Sequence, residues 1–75
     1  MISTLRQYWH AQPFLPFTIH LANGKLLAVP HPDFFFMSAK GGQIFVTEEN
    51  DEVHVLNPLV IVSISRSQAP APAEG

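Results

Sequence analysis

Cysteine is absent from the chain, which removes both a disulfide framework and a thiolate metal centre as sources of stability. Charge is scarce as well. Only 13% of the residues are Asp, Glu, Lys or Arg, and four Lys/Arg against six Asp/Glu give a net charge of −2. That balance disfavours general nucleic-acid binding, which draws its affinity from neutralising phosphates. No apolar run approaches the roughly 20 residues of a membrane-spanning helix, so no membrane association is expected. Met1 to Pro13 lacks the basic start and following apolar block of a secretory signal. These absences point to a cytoplasmic chain.

What is present is a high apolar fraction, 47% of 75 residues, broken into short runs. One domain is the most such a length allows. The expected boundary falls at residue 67, because Gln68-Ala69-Pro70-Ala71-Pro72-Ala73-Glu74-Gly75 has no periodic apolar pattern and reads as a disordered Pro/Ala-rich tail. Residues 1–67 then carry a single core close to the size at which a monomer is marginal, and oligomer formation becomes attractive.

Ser3 or Thr4 is a candidate cap for a short helix running to about Ala11, whose Leu5, Tyr8 and Trp9 share one face. Pro13 and Pro16 end it. Phe17 to Leu21 and Lys25 to Val29 read as two strands around Ala22-Asn23-Gly24. A three-residue loop with a left-handed Gly24 pairs Ile19 with Leu27 and Phe17 with Val29. That register gathers the large apolar side chains on one face, so it is preferred over a two-residue Asn-Gly turn. Pro30-His31-Pro32-Asp33 is a rigid break. Phe34 to Met37 forms a strand apolar on both sides, Gln43 to Thr47 and Val53 to Leu56 form two more, and Val60, Val62 and Ile64 make the inward row of the last. Five or six short antiparallel strands with tight turns fit a closed or nearly closed barrel, since closure hides strand edges.

This order of elements resembles the small SH3-like and Sm-like β-barrels with a short N-terminal helix. Pro13-Phe14-Leu15-Pro16-Phe17-Thr18-Ile19-His20-Leu21-Ala22-Asn23-Gly24, followed by Val29-Pro30-His31-Pro32-Asp33-Phe34, also resembles a group of small uncharacterised bacterial proteins. That second resemblance implies no activity. The Sm-like one implies an RNA-binding ring as an alternative function. Lys25, in the turn that resembles the first Sm hairpin, and Arg6, in the helix, would then be the nucleic-acid contacts. Where those ring proteins place a Lys-His pair before the last strand, this chain has Asn57-Pro58-Leu59-Val60.

Candidate chemistry is thin. His10, His20, His31 and His54 show no H-x-x-x-H spacing, and His20 and His54 are expected on strand faces opposite the main apolar rows. Glu48, Glu49, Asp51 and Glu52 lack the alternating ligands and turn glycine of a calcium loop, and read as a solvated hairpin turn. No metal, cofactor or catalytic residue is therefore expected; Ser38 and Ser63 have no nucleophile-elbow context. His31 and Asp33 form a turn or binding cluster. An apolar strip on a monomer would be a liability, so Trp9, Phe35 and Met37 are assigned to an interaction surface. The expected function is a noncatalytic structural or protein-interaction module, homo-oligomeric, with a further protein or peptide as partner.

Overall fold

The computed structural model describes residues 1–66; the tail assigned to 68–75 lies outside them. One short helix precedes six strands. Helix α1 spans Ile2–Trp9, and the strands are β1 (Phe17–Leu21), β2 (Leu26–Val29), β3 (Phe35–Met37), β4 (Ile44–Thr47), β5 (Val53–Leu56) and β6 (Ile61–Arg66). Single 3₁₀ turns, Pro32–Phe34 and Pro58–Val60, interrupt the chain before β3 and β6. Each begins with a proline, whose fixed φ suits the first turn position and whose missing N–H costs nothing there. Among the described residues no helix is long and apolar enough to cross a membrane.

All pairing is antiparallel, in two three-stranded sheets ordered β2–β1–β6 and β3–β4–β5. The chain is mainly β, as its sequence suggests. Its ladders stop at strand edges and are not joined by hydrogen bonds into one closed barrel, because the two proline-led turns interrupt them at the crossings between sheets.

The core is apolar, with no buried polar residue among the described ones. Alternate residues of β1, β2, β3 and β4 fill it: Phe17, Ile19 and Leu21; Leu27 and Val29; Phe35 and Met37; Ile44 and Val46. Leu5 from α1 and Ile61 from β6 complete it. The β1–β2 hairpin has the expected register, Ile19 opposite Leu27 and Phe17 opposite Val29, with Gly24 at φ +87°.

Three local expectations are corrected. The helix begins at Ile2, caps on Met1 without a side-chain bond, and ends at Trp9 rather than Ala11. A cap at Ser3 or Thr4 would leave Ile2 outside the helix, whereas Ile2 packs against the core on the same side as Leu5. Phe34 belongs to the 3₁₀ turn, which leaves a three-residue β3. In β6, Ile61 is buried while Val60 and Val62 are exposed. Leu21 pairs with Ile61 and His20 with Ser63, so Val62 is the extra residue of a bulge. The bulge shifts the alternation by one and turns Ile64 inward with Ile61.

Candidate interaction surface

A strand sends alternate side chains to opposite faces, and cross-strand partners share a face. In the β3–β4–β5 sheet, Phe36 pairs with Phe45 and Phe45 with Val55. Their neighbours Phe35, Met37, Ile44 and Val46 are buried, so the row Phe36–Phe45–Val55 lies on the outer face. Phe36 keeps 53% of its surface exposed, Val55 59% and Val53 56%. The Phe36 and Phe45 rings lie 6.0 Å apart. The result is an apolar outer face on a sheet whose inner face already fills the core.

Trp9 extends this row from the helix. Its ring meets Phe36 edge-on at 5.6 Å and Phe35 at 5.5 Å, and its Nε1 donates to the Pro32 carbonyl at 3.2 Å. It therefore ties α1 to the 3₁₀ turn while touching both the core and the outer face. Phe35 and Met37, assigned from the sequence to the interaction surface, are 3% and 2% exposed. Both are core residues, because the pairing of Phe35 with Val46 and Met37 with Ile44 commits them to the inner face. Phe36 between them is the surface residue.

Beside Trp9 an open cleft of ≈ 590 Å³ is lined by Trp9, His10, Gln12, Phe14, Asp33 and Phe36, with Phe35 among its remaining walls. Asp33 thus reaches the same region as Trp9. It does not form a pair with His31: among the described residues no hydrogen bond joins the two side chains, and the 3₁₀ turn has no side-chain cap. The turn is closed by the Phe34 N–H donating to the His31 carbonyl at 3.0 Å, and the His31 ring tilts against Phe34.

Arg6 and Lys40 come to the same turn, and Lys25 and Arg66 lie on other elements. Arg6 donates from Nη2 to the Ala39 carbonyl at 3.3 Å, fastening α1 to the β3–β4 turn. Arg66 lies over the Tyr8 ring at 4.1 Å. Lys25 sits in the β1–β2 turn, where its backbone N–H donates to Asn23 Oδ1.

One cluster was not visible as a unit in the sequence. Glu48, Glu52 and His54 bring their ligand atoms within 4.8 Å of one another. His54 Nε2 is 2.5 Å from Glu48 Oε2 and 3.9 Å from Glu52 Oε2. Carboxylate and imidazole are donors that a zinc-type cation accepts, but here they also satisfy one another. The reason they meet corrects the sequence reading of β5. His54 pairs with the buried Val46 and Leu56 with the buried Ile44, so His54 and Leu56 lean inward while Val53 and Val55 face out. His20, by contrast, meets Ser65 Oγ at 2.8 Å across the β1–β6 pair.

Half-buried Phe45 and exposed Val53 and Val55 are the outer-face residues that sequence reasoning missed. A signal for them existed in the turn before β5. Glu49-Asn50-Asp51 repeats the pattern of Ala22-Asn23-Gly24, with Asn50 Oδ1 accepting from Glu52 N–H as Asn23 Oδ1 does from Lys25 N–H. A three-residue loop there places His54 opposite Val46. No protein-family model, curated protein or solved structure matches this chain.

Proposed function

We propose that this chain is a noncatalytic interaction module that self-associates, and that its contact surface is the outer face of the β3–β4–β5 sheet together with Trp9. The observation that carries this reading is the aligned apolar row Phe36–Phe45–Val55, exposed at Phe36 and Val55 and half-buried at Phe45, on a sheet whose other face is already the core. Exposed apolar side chains in one cross-strand row gain by covering one another, whereas scattered ones do not require it. The final strand beside the first, after a 3₁₀ turn, fits a small SH3-like barrel as the underlying plan. The alternative, an Sm-like RNA-binding ring, draws no support from the cations, since Arg6 and Arg66 are engaged within the chain and Lys25 stands on a different element.

Size-exclusion chromatography with light scattering, recorded at 260 and 280 nm on protein purified without nuclease, tests this. The expected result is a nucleic-acid-free dimer or larger assembly that Val55→Ser shifts toward monomer. A monomer at every concentration contradicts the reading, and an assembly carrying RNA replaces it with the ring.

A further inference from the structure

Four strands end as sheet edges: β2, β6, β3 and β5. Two of them are blunted in ways that discourage pairing with another chain. The β6 edge carries the Val62 bulge. The β3 edge is three residues long, with Trp9 against it and Arg6 fastened to the turn that follows. The β2 edge starts after Lys25 and runs into Pro30. β5 has no bulge and is longer than β3; a charge and a proline, Glu52 and Pro58, lie just outside it as Lys25 and Pro30 do at β2. The four residues of β5, Val53-His54-Val55-Leu56, contain no proline, bulge or Lys/Arg/Asp/Glu.

The open hydrogen-bonding groups on that edge can be assigned. Glu48 N–H donates to the Glu52 carbonyl at 2.8 Å, which sets the alternation along β4–β5. Val46–His54 and Ile44–Leu56 are then the hydrogen-bonded pairs, and the backbone groups of Val53 and Val55 point away from β4. No hydrogen bond among the described residues reaches them. The same two residues carry the exposed apolar side chains.

Charge then selects the orientation. Glu48, Glu49, Asp51 and Glu52 crowd one end of β5. The other end, Leu56 and Asn57, shares a cleft with Leu21, Ala22 and Asn23 of the turn that carries Lys25. Two parallel β5 strands would set acidic turn beside acidic turn. An antiparallel pair sends each acidic turn toward the Lys25 end of the other copy.

We infer that the occupant of the β5 edge is a second copy of this chain, paired antiparallel about a two-fold axis at His54. This rests on the self-association reading above, but sets the contact at the β5 edge of that sheet, where Val53 and Val55 take part and Phe36, two strands away, does not. Val53 lies opposite Val55 of the second copy with both backbone bonds formed, and the two His54 residues face each other as the non-hydrogen-bonded pair. The two three-stranded sheets become one continuous sheet. On its outer face each row Phe36–Phe45–Val55 continues into Val53 and Thr47 of the second copy. Each His54 is hydrogen-bonded to its own Glu48, with Glu52 3.9 Å away.

The absence of native cysteine permits a register-specific test. A non-hydrogen-bonded antiparallel pair holds its Cα atoms about 4.5 Å apart, inside the range a disulfide bridges. His54→Cys is expected to give a covalent dimer under mild oxidation, and Val62→Cys on the bulged β6 edge is not. Because His54→Cys removes the Glu48 contact and can affect folding, Val53→Lys/Val55→Lys provides an independent arm at exposed positions. It is expected to keep the circular dichroism of the parent and to raise the dimer dissociation constant by about tenfold or more. Lys25→Glu is expected to weaken the dimer at low salt and to matter less at high salt. A wild-type chain that stays monomeric overturns both the self-association reading and this register. A wild-type dimer that ignores Val53→Lys/Val55→Lys, or that cross-links through Val62→Cys and not His54→Cys, overturns the register alone.

Discussion

Gly24 and Asp51 occupy equivalent places in two hairpin turns, and both are left-handed, at φ +87° and +71°. In each turn the fourth residue's N–H donates back to the residue before the loop, Gly24 to Leu21 and Asp51 to Glu48, both at 2.9 Å. Only glycine adopts that backbone without a Cβ penalty. A Cβ at Gly24 would meet nothing within 4 Å, so the cost of Gly24→Ala is conformational alone, about 1–2 kcal/mol. Asp51→Gly is expected to stabilise by about 0.5 kcal/mol, the backbone relief exceeding the added entropy of the unfolded chain. Urea denaturation of the two variants measures both signs. The Asn-Gly pair made the first turn legible in the sequence. The second was hidden because an aspartate stands where a glycine announces the bend, and its acidic neighbours read as a merely solvated loop.

At the scale of elements, the direction in which each strand presents its side chains decides what is core and what is surface. β1 and β2 alternate clearly, and their faces were legible together with their register. β3 was not, because Phe34-Phe35-Phe36-Met37 is apolar at every position and periodicity gives no phase. Only pairing with β4 separates Phe35 from Phe36. β5 misled for a related reason: Val53 and Val55 look like an inward row until the preceding turn places them opposite Thr47 and Phe45. β6 changes phase at a bulge that no residue type marks. The Phe35/Phe36 assignment gives a sharp contrast. Phe35→Ala should cost about 3–5 kcal/mol, enough to unfold a domain of this size at ordinary temperature. Phe36→Ala should cost about 1 kcal/mol or less in dilute protein, because much of its ring is already in water. Thermal and urea unfolding of the pair distinguish the two faces, and equal losses would contradict the orientation of β3.

As a whole molecule, the described chain is a small pair of sheets around one apolar core, with exposed apolar side chains on both and an aligned row of them on β3–β4–β5. The mainly β class and the short helix were legible in the sequence; self-association is the proposal made above. The outer-face residues were less accessible, because they follow from the register between strands. The electrostatic layout is also a property of the whole, since the acidic turn and Lys25 acquire meaning only when the fold sets them toward opposite ends of β5. A dimer of this kind couples folding to concentration, because a partner that binds only the folded chain stabilises it by mass action.

The most direct measurement is sedimentation velocity across a concentration series, on the wild-type chain and on Val53→Lys/Val55→Lys side by side. The account predicts a reversible monomer–dimer equilibrium for the wild type, and a variant that remains folded while its equilibrium moves toward monomer. A wild type that sediments as a monomer throughout, or a variant that dimerises as well as its parent, would contradict it.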